Sequence, residues 1–188
     1  MSNHMRADFV AAVRTAWAEQ LPDLDTAPVA VVGRISRAAR LLERATKPRL
    51  AEHSLEPWEY DVLAALRRSG PKSTLSAGTL TASMLVTPGT MTNRIDRMVN
   101  RRLVSTGIAP DDRRSTLVTL TRSGRTLVEA AAAGLMAVEQ EAIAGLSTQR
   151  QQRLANLLHE LLLTLGDDAP HEKPTTAATP PNRRRPSR

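Results

Sequence analysis

The sequence contains no cysteine among its 188 residues. This absence excludes a disulfide framework, a thiolate nucleophile, iron–sulfur ligation and a thiol-based oxidant sensor. Aromatic residues are scarce too, at 2% of the chain. All four lie in its first third, at Phe9, Trp17, Trp58 and Tyr60. The core of the remaining two thirds must therefore be aliphatic, which suits helices rich in leucine and alanine.

Long apolar runs and catalytic motifs are also missing from the sequence. No run approaches the roughly 18 residues of a membrane-spanning helix, and the N-terminus lacks the apolar segment of a signal peptide, so we expect a soluble cytoplasmic protein. There is no Gly-rich phosphate loop, no nucleophile elbow and no metal-ligand spacing, since the four histidines are scattered. The sequence predicts a protein that is not an enzyme and uses no metal or cofactor.

The sequence does contain an excess of positive charge. It also contains enough hydrophobic residues, 41% of the chain, to form a core. The formal net charge is +7 and the isoelectric point is about 11.1. This balance is compatible with a polyanionic partner, although part of it lies in a C-terminal run of three arginines. Residues 1–7 are expected to be a disordered N-terminus or a remnant of expression. Residues 167–188, rich in proline, threonine and arginine, are expected to form a disordered basic tail.

Between these ends, the apolar spacing predicts helices over about 8–20, 28–50, 57–70, 76–84, 88–100, 122–144 and 148–165. Pro48 should bend or end the second helix. Thr87 and Pro88 suit the N-cap and the first residue of the fifth helix. Between Leu103 and Leu120 the period changes to that of a β-hairpin. A helix-turn-helix followed directly by a hairpin is a winged helix.

The fifth helix carries residues of the kind that contact DNA. A major groove admits one α-helix and displays hydrogen-bond donors and acceptors on base edges. The backbone amides at a helix N-terminus favour phosphate. A glycine there allows close approach, an asparagine can pair with adenine, a threonine can touch a thymine methyl, and an arginine one turn on suits a phosphate. The predicted contacts are Pro88, Gly89, Thr90, Thr92, Asn93 and Arg97.

The hairpin adds Arg113 and Arg114 at its tip, where the negative potential of a narrow minor groove attracts guanidinium groups. Asp111 and Asp112 are interpreted as partners that hold these arginines. Taken singly, each residue of the helix or the hairpin could equally cap a helix, face solvent or pair with an acid. Taken together they favour double-stranded DNA. Single strands are disfavoured, because sites for them stack bases on aromatic rings.

The order of these elements resembles that of the MarR family of transcriptional regulators. The segments "GTMTNRIDRM" and "DDRRSTLVTLTRSGRTLV" carry the resemblance, which covers about residues 8–165. It implies a winged-helix domain over 8–166, with dimerisation elements at 8–50 and 122–166 and a DNA-binding lobe at 57–121. It also implies an obligate homodimer that binds a pseudo-palindromic operator and usually represses a neighbouring gene. The leucine-rich last helix supports pairing of two chains, although it could instead cover only its own domain.

Within this family, the chain looks most like the branch that responds to urate and like related regulators that answer to aconitate or citrate. The tryptophan ahead of "PDLD" and the segments "EYDVLAALRRSGP" and "TNRIDRM" carry this likeness. It implies that Trp17, Asp61 and Arg94 line a pocket for a small anion that weakens operator binding. A further arginine of that branch falls on Thr106 here, which should weaken the binding of a charged ligand.

Two alternatives remain open from the sequence. Trp17 could anchor the dimer core while Asp61 and Arg94 form a structural ion pair. The chain could also be an architectural protein that binds DNA without sequence preference, which its basic tail favours slightly. A footprint separates the functions, because a regulator protects one short palindromic site and an architectural protein coats the duplex.

Overall fold

The computed structural model describes residues 7–110 and 112–167. The predicted disordered ends fall almost entirely outside these residues, and so does Asp111. The helices are α1 (Phe9–Gln20), α2 (Ala27–Ala51), α3 (Pro57–Arg68), α4 (Ala77–Ser83), α5 (Pro88–Asn100), α6 (Arg122–Ile143) and α7 (Thr148–Thr164). The strands are β1 (Thr74–Ser76), β2 (Val104–Ile108) and β3 (Thr116–Leu120). The predicted fold, mainly helical with a winged helix-turn-helix, is confirmed.

Two compact units make up the chain, Met1–Ala144 and Gly145–Arg188. The first unit holds α1 to α6 and the sheet, and the second holds α7. In the first unit, Asp8 caps α1 by accepting a hydrogen bond from the Ala11 backbone and pairs with Arg34 of α2, whose Nε lies 2.6 Å away. The Arg34 guanidinium and the Ala11 backbone hold the pKa of the Asp8 carboxyl below its usual value.

Pro48 does not end α2, which continues through it to Ala51. Of the two predicted effects of Pro48, a bend or an end of the helix, the end is wrong. The proline lies in the last turn, where its missing amide removes a single hydrogen bond near an end that would fray in any case.

An aliphatic core fills the space between α3, α4, α5, α6 and the sheet, as the scarcity of aromatics predicted. Its fully buried side chains come from all of these elements, and Trp58 and Tyr60 pack only against its edge. The main members are Val62, Leu63, Leu66, Leu80, Met91, Ile95, Met98, Val104, Val118, Leu120 and Val128. This core holds α5 with one face inward and the other outward.

The sheet has three strands in the order β1-β3-β2, all antiparallel, where the sequence predicted only the hairpin of β2 and β3. The additional strand β1 pairs Thr74 with Thr119, and the two hydroxyls lie 2.9 Å apart. A strand of three residues is too short to show a period of two, so its pairing with β3, 45 residues away, is visible only in the fold.

The segment "TRSGR" at the start of α6 joins this helix to the wing and to the end of α5. The Thr121 hydroxyl accepts a hydrogen bond from the Gly124 amide and lies 2.9 Å from the Leu103 carbonyl oxygen. Arg125 donates to the buried Ser73 hydroxyl at 2.8 Å. At Gly124, a Cβ atom would lie 2.1 Å from the Leu103 carbonyl oxygen. Only glycine lets the two backbones approach this closely.

We expect Gly124→Ala to lower the free energy of unfolding by at least about 2 kcal/mol, because backbone rather than a flexible side chain must move to admit the methyl group. Gly134→Ala in the same helix is the matched control. A Cβ atom there meets nothing within 4 Å, so this change should stabilise the helix by about 0.5–1 kcal/mol. Urea denaturation followed by circular dichroism measures both, and equal stability of the two variants would contradict the predicted clash.

Candidate nucleic-acid interface

The helix-turn-helix consists of α4, a short turn and α5, each helix with a side-chain cap. The Ser76 hydroxyl accepts a hydrogen bond from the Thr79 amide, and the Thr87 hydroxyl accepts one from the Thr90 amide. In the turn, Leu85 has a φ of 51° and is 85% exposed. A leucine in this left-handed region is uncommon. The turn therefore places a strained, solvent-facing residue two positions before the α5 cap.

One face of α5 is buried and the other is exposed. Met91, Ile95 and Met98 point into the core. All six residues predicted to contact DNA from this helix are exposed: Pro88, Gly89, Thr90, Thr92, Asn93 and Arg97. The fold therefore leaves every predicted contact of this helix accessible.

On the exposed face, the polar side chains differ in whether their hydrogen-bonding groups are already used within the protein. The Thr90 hydroxyl lies 2.9 Å from that of Thr87, and the Thr92 hydroxyl donates to the Pro88 carbonyl at 3.0 Å. The Asn93 amide makes no hydrogen bond within the described residues. The Asn93 amide is therefore free to bind another molecule, while the threonines have their methyl groups available for contact.

At the tip of the wing, Arg113 and Arg114 are exposed, and neither belongs to an ion pair among the described residues. Asp112 was interpreted as a partner of their guanidinium groups, and this is wrong. Its carboxylate instead accepts a hydrogen bond from the Arg114 backbone amide at 3.0 Å, a local turn that an aspartate forms readily. The other predicted partner, Asp111, lies outside the described residues. Asp112 thus shapes the turn and leaves both arginines free to contact a polyanion.

Two arginines of α5 lie over a tryptophan of α3 to which the sequence assigned no role. The Arg94 guanidinium carbon is 5.3 Å and that of Arg97 is 4.9 Å from the centre of the Trp58 ring. Such contacts attract a cation to the ring face without neutralising its charge. Trp58 therefore orients both arginines while leaving them able to bind an anion.

A buried ion pair ties the end of α5 to the start of α3. Glu59 is 1% exposed, and its carboxylate lies 2.5 Å from the Arg101 guanidinium. The same carboxylate accepts a hydrogen bond from the Glu56 backbone amide, and Arg101 also donates to the Ser54 carbonyl at 2.8 Å. The sequence held a hint in the spacing of Glu56 and Glu59 at a helix start, but nothing that pointed to Arg101.

The three residues predicted to bind a ligand are only partly brought together. Asp61 on α3 and the half-buried Arg94 on α5 interact electrostatically. Burial raises the pKa of the Asp61 carboxyl, and Arg94 and Arg68 act against this rise. Trp17 is 45% exposed on α1 and has no hydrogen bond, ion pair or ring contact with either residue in the described part of the chain. Thr106 is exposed on β2, opposite Val118.

Among residues 7–110 and 112–167, no helix is long and apolar enough to cross a membrane. The described side chains also contain no group of three or more histidine, aspartate or glutamate residues placed to hold a metal ion.

The known proteins that this chain resembles are regulators that bind DNA. A model of the MarR family matches residues 53–115. The HTH-type transcriptional regulator PecS of Dickeya dadantii is 29% identical over 142 residues, which cover 76% of this chain and 86% of PecS. Bordetella bronchiseptica BpsR, whose DNA binding is regulated by 6-hydroxynicotinic acid, is 27% identical with a TM-score of 0.63 over 74% of this chain and 94% of its own. Sco3205 of Streptomyces coelicolor, a MarR family regulator solved in complex with DNA, shares the fold with a TM-score of 0.67. The two sequences are 21% identical, and the match covers 80% of this chain and 94% of Sco3205.

We expect Arg101→Met to lower the free energy of unfolding by about 3 kcal/mol, because it leaves the Glu59 carboxylate buried without a partner. This loss of free energy should lie near the lower end of the range for breaking a buried ion pair, because Arg101 is partly exposed. Adding Glu59→Gln should recover part of the loss by removing the unpaired charge. Arg97→Met, which unpairs no carboxylate, is the control. Thermal denaturation compares the variants, and an Arg101→Met protein as stable as the control would rule out the anchoring role.

Proposed function

We propose that the chain is a transcriptional regulator of the MarR family, which the match at residues 53–115 and the likeness to PecS support, and that it is a cytoplasmic repressor. It binds a pseudo-palindromic operator in double-stranded DNA as a homodimer, and a small anionic ligand weakens this binding. DNA binding and transcription regulation are the family's common properties. Repression, the homodimer, the contacting residues and the ligand are the parts that we propose for this chain.

The observation that carries the proposal is the division of α5 into two faces. Its apolar face is buried in the core, while the first turn and the Asn93 amide are exposed and free. Helix termini and small polar side chains of this kind suit base edges and phosphates in a major groove. Arg113 and Arg114 at the wing tip suit the adjacent minor groove.

A homodimer is supported by apolar side chains that each unit leaves exposed. In the second unit, α7 has no buried residue and exposes leucines along its length. They are Leu154, Leu157, Leu158, Leu162 and Leu163. In the first unit, Phe9, Val31, Val32 and Leu41 are more than half exposed. A second copy that covered these surfaces would gain hydrophobic free energy, and would set two recognition helices about 34 Å apart on the duplex.

A small anionic ligand is supported by the position of Arg94. This arginine belongs to the recognition helix, lies over Trp58 and interacts with Asp61. An anion bound by Arg94 would add negative charge next to the Asp61 carboxylate and would shift the helix that carries Arg94. Such a ligand lowers DNA affinity only if it prefers the state that does not bind DNA. Urate, citrate and aconitate are the candidates that the resemblance implies, with Trp17 as a flat face for a planar ring.

The experiment that tests this function is a nuclease footprint on the protein's own promoter region, combined with the mass of the free protein by sedimentation. A dimer that protects one short palindromic site supports the regulator. A uniform coating of the duplex would instead support the architectural protein, which the net charge of +7 also allows. A monomer, or a protein that ignores the promoter at low ionic strength, would reject the proposal.

For DNA recognition, we expect Asn93→Ala to weaken operator binding about tenfold to a hundredfold while leaving non-specific binding nearly unchanged, because it removes a base-reading amide. Arg113→Gln and Arg114→Gln should weaken binding to every sequence and lower the salt dependence by about one ion per lost contact. Arg40→Gln on α2, outside the DNA-binding lobe, is the charge-matched control, and sedimentation must show that this variant is still a dimer. Fluorescence anisotropy at several salt concentrations measures all four. Equal effects of Asn93→Ala on specific and random duplexes would refute base reading.

For the ligand, we expect urate, citrate or aconitate to release the protein from its operator, and Arg94→Ala to abolish this release. The raised pKa of Asp61 sets the pH dependence, with Arg94, Arg68 and Tyr60 as the charged or titratable neighbours. As the pH falls through the raised pKa of Asp61, protonation of its carboxylate removes a repelling charge, so ligand affinity should rise. Asp61→Asn should flatten this dependence. If all three acids leave the complex intact and Arg94→Ala changes only DNA affinity, the pocket is refuted.

A further inference from the structure

Three arginines of α5 contact two consecutive residues at the start of α3. Arg94, Arg97 and Arg101 are spaced three and four residues apart, so they lie along one face of the helix. The guanidinium carbons of the first two lie 5.3 and 4.9 Å from the centre of the Trp58 ring. Arg101 binds the carboxylate of Glu59, the next residue. The first turn of α3 therefore supports the last two turns of the recognition helix.

We propose that Trp58 is a positioning residue for DNA binding. Its ring holds the Arg97 guanidinium ready for a phosphate of the DNA backbone, and Trp58 itself does not touch the DNA. This inference rests on the proposed function, because it concerns the same interface with duplex DNA. It adds a residue of α3 that sets how tightly the duplex is held, whatever its sequence.

The charge of Arg97 is available to a phosphate. Its side chain is exposed and has no hydrogen bond or ion pair among the described residues, whereas Arg67 is paired with Glu129. A carboxylate partner would neutralise the cation that a phosphate requires. An aromatic ring attracts the cation through its electron-rich face and leaves the charge in place. The N–H groups at the edge of the guanidinium can then donate to two phosphate oxygens.

The ring contact also lowers the entropic cost of binding. An arginine side chain has many rotamers, and ordering it against a phosphate costs conformational entropy. Contact with Trp58 restricts Arg97 before the DNA arrives, so less entropy is lost on binding. By contrast, Arg113 and Arg114 at the wing tip have no ring contact among the described residues. Their ordering must occur entirely on the DNA.

Trp58 can act in this way because its own position is fixed. It lies in the first turn of α3, directly after Pro57, and packs against the hydrophobic core. The capping box of Glu56 and Glu59 holds the same turn, and Glu59 is tied to Arg101. The ring is therefore a rigid support rather than a side chain that follows the arginines.

A double-mutant cycle tests whether Trp58 acts through Arg97. The affinities for the operator duplex and for a random duplex of equal length are measured by fluorescence anisotropy. We expect Trp58→Met to weaken binding to both duplexes about twofold to fivefold, the value of an exposed cation–π contact. In the Arg97→Gln background the same change should have no further effect. The Arg113→Gln background is the matched control, and there Trp58→Met should keep its full effect.

The conservative change Trp58→Phe separates the ring from its N–H group. It keeps an aromatic face beneath the arginines, so its affinity for both duplexes should stay within about twofold of the unaltered protein. A loss as large as that of Trp58→Met would mean that the indole N–H binds DNA directly, and would overturn the positioning role. Thermal denaturation establishes that the variants are folded, and Trp58→Leu is the second ring-free variant in case Trp58→Met unfolds.

The remaining outcomes separate this inference from the proposed function. If Trp58→Met has the same effect with and without Arg97, or has none in the unaltered background, the protein still binds its operator and only this inference is overturned. A protein that binds neither duplex at low ionic strength overturns the proposed function, and the positioning role with it.

Discussion

The buried ion pair between Glu59 and Arg101 is the constraint on which the placement of the recognition helix depends. A carboxylate that is 1% exposed is tolerated only with a charged partner and further hydrogen bonds. Arg101 supplies the charge and also reaches the Ser54 carbonyl, so the end of α5 is held against the start of α3. The other end of α5 begins at the Thr87 cap, and the exposed side of its first turn is free to approach a ligand or DNA.

Hydrogen bonds to backbone carbonyls, in addition to side-chain packing, place the wing relative to α5. The carbonyls of Arg102 and Leu103 accept hydrogen bonds from Thr121 and Ser123, and Gly124 lies close enough to Leu103 to exclude any side chain. Hence the helix and the hairpin that we propose to contact DNA share one rigid connection. The buried face of α5 and its Arg101 end are both held in place. A displacement of the α4–α5 turn would therefore act on the first turn of α5.

Local signals in the sequence were sufficient for most elements. The apolar period and the caps at Thr87 and Thr121 predicted the helices to within a few residues, and the change of period at Leu103 predicted the hairpin. These features act over one or two turns of chain, so they can be read without knowing the fold. For the same reason, the exposed face of α5 could be predicted, because three apolar residues with helical spacing define the opposite face.

Only the tertiary structure decided the contacts between distant residues. Glu59 and Arg101 are 42 residues apart, and β1 becomes a strand only by pairing with β3. Trp58 showed no period or motif that would place it beneath two arginines of α5. Composition, periodicity and caps thus determined that this chain forms a helical winged fold with a polar recognition helix. Which charges remain free on that helix was decided by packing, because burial and partners arise only once distant segments meet.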